Sequence, residues 1–391
     1  MDEDGNQSIT RRRIMKLAAT TGASTYAATS IASKRTRAAG SAQMVVSMDR
    51  KGWIREVPKD WYNRVERARR AQEKLKDRFL DKDGIIAVEY SPGQFGGENP
   101  YVAIVLDRDS AHREERRGNV PERKEETPVR VETTASYPRH SGAAKSWACD
   151  QCDQPCDDDP LSDKSKVPGG VKGSQSGYYG TLTSQAVNGS KHSYPYGWMT
   201  NAHVASAGND NCGADLIGTT IEHYGHDIGT VEYVSHGHDM VYIASNSYTE
   251  PLPRVTDPEN HSAEVNIEGT LTDDGIDVYA ANSGDPKYAI NKYGTNSCYT
   301  SGYIHRQGAS VTPKNDSCRS SSDTYEDQVT WGDACDDIDC GDSGSLAFVK
   351  HTDEDYYLGV CLNSGPTGGD RVHGTSGDAM RDYHDLWWDD F

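Results

Sequence analysis

A hexapeptide, Cys-Gly-Asp-Ser-Gly-Ser at positions 340–345, decides how the rest of this chain is interpreted. A serine between two glycines is typical of a tight turn, where the backbone can expose the hydroxyl and point nearby N–H groups at one spot. Serine is a weak nucleophile at its own pKa and needs an adjacent base, which in turn needs an orienting group. Two upstream motifs contain candidates for these partners: Thr-Asn-Ala-His-Val at 200–204, with His203, and His-Asp-Met-Val-Tyr-Ile at 238–243, with Asp239.

The order of these residues along the chain is His203, Asp239 and then Ser343. This is the order found in chymotrypsin, and it differs from the order in subtilisin and in the α/β-hydrolases. Together with the Gly-Asp-Ser-Gly and Thr-x-Ala-His motifs, it resembles the trypsin/chymotrypsin superfamily of serine proteases, and within it the secreted bacterial branch of α-lytic protease and the streptogrisins. The resemblance covers residues 167–391. It implies two six-stranded antiparallel barrels, with His203 and Asp239 from the first and Ser343 from the second.

The resemblance also implies a role for each residue. Ser343 would attack a carbonyl carbon, and His203 would take its proton and later pass it to the leaving group. Asp239 would hold the imidazole in the useful tautomer and stabilise its cation. The backbone N–H groups of Gly341 and Ser343 would form the oxyanion hole. Asp342 is expected to be structural, as an ion-pair or hydrogen-bond anchor for the loop.

Each assignment has a simpler rival. Turn chemistry alone explains a Gly-Asp-Ser-Gly sequence, and His203 follows an apolar run, as an interior histidine would. Three residues near Asp239 in the sequence either compete with it for the role of orienting group or crowd the site: Asp227, His236 and His238. The order of the motifs and their strand-like flanks favour the triad.

The segment Asn363, Ser364 and Gly365 resembles the part of these proteases that forms one wall of the primary specificity pocket and pairs with the substrate backbone. Asp337 lies six residues before Ser343, where trypsin-like members place the acid that selects Arg or Lys. The spacing between Cys335 and Gly341 is longer than in the bacterial relatives, so the sequence leaves the preference for a basic residue open.

Six cysteines lie beyond residue 166, and an even number in an exported chain suggests disulfides: Cys212, Cys298, Cys318, Cys335, Cys340 and Cys361. The segment at 296–302 resembles the hairpin disulfide of the bacterial family, which implies the pair Cys298–Cys318. Upstream, Cys149, Cys152 and Cys156 lack an evident fourth ligand for zinc, so a disulfide-stapled hinge or a propeptide tail is favoured over a metal site. No metal or cofactor is expected.

Charge divides the chain into two parts. The 391 residues carry a formal net charge of −19, yet residues 167–391 hold 33 acidic and 11 basic residues while residues 1–166 hold 27 and 30. Such an acidic, lysine-poor surface suits solubility in high salt, although an ordinary acidic secreted protein would also show it. Phosphate binding needs a basic face, so nucleic acid is not an expected partner.

The first residues indicate export. Thr-Arg-Arg-Arg-Ile-Met-Lys at 10–16 resembles a twin-arginine signal, followed by an Ala/Thr/Ser-rich stretch and small residues at 38–42. A disordered basic tail is the alternative. No run reaches the roughly 18 apolar residues of a membrane span. The protein is therefore expected to have no membrane association after export. It is also expected to be secreted and monomeric.

The sequence thus predicts four segments: a signal at 1–42, a small α+β pro-region at 43–140, a Cys/Asp-rich linker at 141–166 and a protease domain at 167–391. In the pro-region, apolar spacing predicts a helix over 60–80, and strands are expected at 85–90, 101–106 and 128–132. This unit either assists folding and blocks the site, as in relatives, or stays attached as an accessory domain.

Many short strands separated by turn residues predict an all-β fold for the protease domain, a chymotrypsin-like double antiparallel β-barrel with a helix near 377–388. Strands are expected at 178–184, 197–202, 228–234, 240–245, 270–280, 327–332, 345–349 and 356–362. The predicted function is that of a secreted serine endopeptidase acting on polypeptides through an acyl-enzyme. The alternatives are an inactive trypsin-fold binding or surface module, and a serine esterase or self-processing enzyme.

Overall fold

The structure is a computed structural model, which describes residues 40–49, 52–134, 161, 163–189, 196–206, 214–257, 264–311, 324–332, 337–339, 341–367 and 371–388. The twin-arginine motif, the three linker cysteines, Cys212, Cys318, Cys335 and Cys340 lie outside these residues. Within the described part, no helix is long and apolar enough to cross a membrane.

The N-terminal elements are built around one long helix. Pro58 precedes it, and Trp61, Val65, Leu75 and Phe79 recur on one face and are buried, because this spacing places them one above the other. The helix prediction for 60–80 is confirmed. The elements are β1 (Ser41–Asp49), β2 (Trp53–Pro58), α1 (Lys59–Phe79), β3 (Ile85–Ser91), β4 (Tyr101–Asp107), α2 (Arg113–Asn119), β5 (Arg123–Lys124) and β6 (Thr127–Thr134).

The next part of the chain forms an eight-stranded antiparallel sheet in the order β24-β10-β11-β14-β13-β12-β8-β9. Its core contains Val171, Trp198 and Val241, all fully buried. The elements are β7 (Lys166–Gly169), β8 (Lys172–Gln175), β9 (Tyr178–Thr181), β10 (Ala186–Asn188), β11 (Tyr196–Thr200), α3 (Ala202–Ala205), β12 (Thr220–His223), β13 (His226–Ser235) and β14 (Met240–Ser245).

Strand β7 pairs with β15 and belongs to a second, sixteen-stranded sheet. The remaining strands belong to this second sheet as well, except for β24, which pairs with β10. The elements are β15 (Glu250–Thr256), β16 (Glu264–Leu271), α4 (Asp273–Ala280), β17 (Ile290–Gly294), β18 (Cys298–Gly302), β19 (Ile304–Val311), β20 (Tyr325–Trp331), β21 (Leu346–Lys350), β22 (Tyr357–Thr367), β23 (Arg371–Ser376), α5 (Gly377–His384) and β24 (Leu386–Trp388).

The all-β fold is confirmed, but its strands are not grouped as two barrels of six. The second sheet is larger because the N-terminal strands join it: β3 pairs with β19, and β1 pairs with β16. A third apolar cluster, which includes Met199, Leu346 and Trp388, contains residues from both sheets. The two sheets therefore pack against each other through a shared apolar cluster.

One local prediction is wrong, and the predicted C-terminal helix is confirmed with an earlier end. The expected strand at 270–280 ends at Leu271, and the chain continues as helix α4. Thr272 caps this helix by accepting a hydrogen bond from the N–H of Gly275, and two aspartates occupy its first turn, where the helix dipole favours negative charge. The expected helix at 377–388 stops at His384, because Asp385 adopts a left-handed conformation with φ 60° and the chain then forms β24.

Candidate active site

The three residues of the predicted triad come from both sheets. His203 lies in the short helix α3, directly after strand β11, and Asp239 lies directly before strand β14. Strands β11 and β14 are paired, with Thr200 opposite Val241, so the histidine and aspartate segments are neighbours. Ser343 lies on the turn before strand β21 of the larger sheet.

His203 and Asp239 form a close hydrogen-bonded pair. The imidazole Nδ1 is 2.7 Å from Oδ2 of the carboxylate, and the backbone N–H of His203 donates to Oδ1 at 3.2 Å. Asn201 donates from Nδ2 to the carbonyl oxygen of Asp239 at 2.8 Å, which fixes the segment that carries the aspartate. Asp239 is 2% exposed and has φ 45°, a conformation that Asp tolerates better than most residues. The pair therefore has a buried carboxylate that orients an imidazole through Nδ1.

The competing residues are directed elsewhere. Asp227 lies in strand β13 and is exposed. The imidazole Nδ1 of His238 is 2.8 Å from Nε2 of His384 at the end of helix α5. Of the acidic and histidine residues near position 239, Asp239 is the one that the structure places against His203.

Residues 341–344, which we name the serine turn, are tightly held. Gly341 and Gly344 have φ 91° and 90°, a region that favours glycine. A Cβ on Gly341 would lie 2.5 Å from Cε2 of Tyr179, and one on Gly344 would lie 2.1 Å from Oγ1 of Thr200. Only glycine fits at these two positions without displacement of the first sheet.

The buried side chain of Asp342 anchors the serine turn to the interior of the larger sheet, in agreement with its predicted structural role. Its side chain is fully buried and lies 3.0 Å from Nζ of Lys292, whose side chain is also fully buried. The carboxylate further accepts hydrogen bonds from the backbone N–H groups of Asp339 and Asn296, both at 2.9 Å, and of Ser297 at 3.2 Å. A buried carboxylate is stable when it has a cation and several N–H donors in this way.

Ser343 itself is 3% exposed and contacts the neighbouring strand β22. Its Oγ donates to the carbonyl oxygen of Ser364 at 3.3 Å. Its own carbonyl accepts from the N–H of Thr181 in the first sheet at 2.8 Å. The hydroxyl of Ser364 also accepts from Nδ2 of Asn201 at 3.2 Å, so Ser364 connects the Asp239 segment with the serine.

The predicted pocket residues have different surroundings. Asn363 is fully buried, with Oδ1 accepting from Nε1 of Trp331 at 2.9 Å and Nδ2 donating to Oγ of Ser345 at 3.0 Å. Its side chain is therefore held in the interior by Trp331 and Ser345. Asp337 is 7% exposed. A Cβ built on Gly332 would lie 2.4 Å from Oδ2 of Asp337.

Sequence reasoning missed His373, a buried residue on strand β23. Its Nδ1 is 3.1 Å from Oε1 of Gln328. Burial disfavours the charged form and lowers the pKa of His373 to about 4, while the charge of Asp239 acts in the opposite direction. No motif surrounds this histidine in the sequence, and only the pairing of β23 with β22 and β20 brings it near the triad.

The cysteines differ from the expectation that all six form disulfides. Cys361 is a free, buried thiol in strand β22, and burial raises its pKa. It faces the core beside Asn363, with Sγ 3.6 Å from Oδ1. Cys298 is disulfide-bonded, and its expected partner Cys318 lies outside the described residues.

Comparison with known proteins gives similarity only at the level of structure. No family model and no curated protein matches the sequence. The similar solved structures include several bacterial proteases. A Nocardiopsis protease (NAPase) is 18% identical, with 57% of this chain and 98% of that chain covered and a TM-score of 0.41. Thermobifida fusca protease A is 19% identical, with 57% and 97% covered and a TM-score of 0.40. A Cellulomonas bogoriensis chymotrypsin is 16% identical, with 57% and 98% covered and a TM-score of 0.40.

Proposed function

We propose that this chain is an exported serine endopeptidase that uses Ser343, His203 and Asp239. The observation that carries the proposal is the 2.7 Å hydrogen bond between the imidazole of His203 and the buried carboxylate of Asp239. It matters because it occurs in a fold that also holds a serine on a tight, glycine-flanked turn. A buried carboxylate at Nδ1 leaves Nε2 to act as the base, which is the arrangement that activates a serine hydroxyl.

The proposed reaction begins with attack of Ser343 Oγ on the carbonyl carbon of a peptide bond. His203 takes the hydroxyl proton at Nε2, and Asp239 stabilises the resulting imidazolium. The oxyanion that forms is bound by the backbone N–H groups of Gly341 and Ser343. His203 then gives its proton to the leaving amine, and an acyl-enzyme remains. Water activated by His203 hydrolyses that ester and releases Ser343.

Substrate contacts follow from the strand beside the serine turn. The backbone at Ser364 and Gly365 continues strand β22 next to Ser343 and would pair with an extended substrate. The carboxylate of Asp337 would attract Arg or Lys at the residue before the scissile bond. We infer further that the chain leaves the cell by the twin-arginine route, folds with a Cys298–Cys318 disulfide and tolerates high salt.

Labelling with diisopropyl fluorophosphate tests the nucleophile. Intact mass spectrometry of the full chain should show one adduct, located on Ser343 by peptide mapping and absent from a Ser343→Ala variant. Ser165→Ala, which changes an exposed serine, should label as the unchanged chain does. Absence of an adduct from folded protein in both low and high salt would favour an inactive binding module.

Turnover separates an endopeptidase from an esterase. Peptide amide substrates should be cleaved, and Asp239→Asn should lower kcat about 10⁴-fold without a change of fold, because the imidazole would then take the wrong tautomer. Hydrolysis of esters with no cleavage of any peptide in a mixed-sequence library would contradict the proposal. Comparing Arg and Lys with Glu at the residue before the scissile bond, with Asp337→Ser as the variant, tests the specificity assignment.

A further inference from the structure

The N-terminal unit, residues 40–134, shares its sheet with the C-terminal part of the chain, residues 161–388. Strand β3 pairs antiparallel with β19, with Tyr90 opposite Gln307 and Val88 opposite Ser310. A second connection is made by β1, where Ser47 lies opposite Leu271 of β16. Removal of the unit would therefore leave two strands of the C-terminal part with unpaired backbone groups.

A buried arginine of the C-terminal part depends on this unit for its counter-charges. The side chain of Arg306, in strand β19, is 2% exposed. Its guanidinium donates to the carboxylates of Glu89 in β3 and Glu132 in β6. Within the described residues, both carboxylates that pair with Arg306 belong to the N-terminal unit. A buried guanidinium is stable only when it is paired, because its desolvation is costly.

A second buried charge of the C-terminal part, in helix α4, also depends on the N-terminal unit. The side chain of Asp277 is fully buried, and its Oδ2 lies 2.5 Å from Nη2 of Arg69 in helix α1. The hydroxyl of Tyr90 in β3 donates to the same carboxylate at 2.9 Å. Arg69 also pairs with Asp274 at 2.9 Å. Two buried charges of the C-terminal part, one positive and one negative, thus have partners in the N-terminal unit.

Apolar packing crosses the same boundary. One buried cluster includes Trp61 and Leu75 from helix α1 together with Leu271, Ile276 and Trp331 from the C-terminal part. These side chains would meet water if the two parts separated, at a cost proportional to the apolar area exposed. The boundary therefore has the composition of a protein core.

We propose that the N-terminal unit is a permanent subunit of this protein. When the connecting segment at 135–160 is cut, residues 40–134 stay bound to the C-terminal part, and the working molecule is a two-chain assembly. The surface formed by β19, β16 and α4 therefore binds residues 40–134 of the same chain. The proposal does not depend on catalysis, because the ion pairs and the sheet connection involve none of the proposed triad.

The test uses the full chain with Ser343→Ala, to prevent self-cleavage, and a recognition sequence for an unrelated site-specific protease inserted near position 147. After complete cutting, the two fragments should elute together on gel filtration at nanomolar concentration and unfold in urea in one transition. Separation of the fragments, with a C-terminal fragment that keeps the circular dichroism spectrum of the uncut chain, would overturn the proposal.

Variants of the cut protein test the role of the buried charges. Arg306→Met should leave Glu89 and Glu132 without their cation, so the dissociation constant of the fragments should rise at least 100-fold. Arg306→Lys keeps the charge but cannot bind both carboxylates through two separate nitrogens, so it should give an intermediate rise. It replaces Arg306→Met in the test if that variant does not fold. Lys350→Met changes an exposed pair with Asp355 and should leave the constant unchanged. Equal constants for all three variants would contradict the proposal.

Discussion

The buried ion pair between Lys292 and Asp342 gives a direct test of how the serine turn is supported. Both side chains are fully buried and lie 3.0 Å apart. Lys292→Met keeps much of the side-chain length and volume but removes the charge. Asp342 would keep its three backbone N–H donors and lose its cation. Removing one partner of a buried pair costs about 3–5 kcal/mol, and we expect a loss of this size in the free energy of unfolding.

Urea unfolding of the Ser343→Ala background measures this loss, and the rate of labelling by diisopropyl fluorophosphate measures the geometry of the turn in the otherwise unchanged chain. The double variant Lys292→Met with Asp342→Asn removes both charges and keeps one oxygen, which can still accept the backbone N–H groups of Asn296 and Ser297. It should recover part of the lost stability. The reasoning would be refuted if Lys292→Met lost less than about 1 kcal/mol, the range of an exposed pair, and labelled at the original rate.

Two further changes test the backbone and the buried histidine. Gly341→Ala should abolish labelling of Ser343, because its Cβ would overlap Tyr179. The control Gly284→Ala should label normally, because Gly284 has a similar φ of 98° but open space around it. Equal labelling of the two variants would contradict the packing argument. His373 has a pKa lowered to about 4 by burial, while an unfolded histidine takes a proton below about pH 6.5. The unfolded state therefore binds more protons between these values, so stability should rise with pH from about 4 to 6.5. Urea titrations across this range should show a shallower rise for His373→Gln, and an identical slope would exclude His373 as the cause.

The sequence predicted the candidate site better than it predicted the assembly of the sheets. His203 and Asp239 could be found because each follows or precedes an apolar strand, and the two strands pair side by side. Glycines around Ser343 indicated a turn that the structure contains, with φ values near 90°. In each case the signal lay within a few residues of the candidate side chain.

What the sequence could not show depends on distant pairing. Strands β3 and β19 are far apart in the chain, and nothing in either segment indicates that they are neighbours. Arg306 therefore looked like an ordinary polar residue, although it is buried against Glu89 and Glu132. Helix α4 differs from the prediction for another reason. The alternation of Ile276, Val278 and Ala280 resembles a strand, whereas the signal for a helix is the capping residue Thr272.

The support of the serine turn also limits what cleavage of the chain can do. In the uncut chain, Asp342 already has a cation in Lys292, which lies in strand β17 of the same sheet as Ser343. A new N-terminus created by cutting would have no vacant charge to neutralise at this turn. The glycine conformations and backbone hydrogen bonds of the turn are likewise complete before any cut. The reactivity of Ser343 toward a small organophosphate should therefore be present before any cleavage of the segment that precedes residue 161.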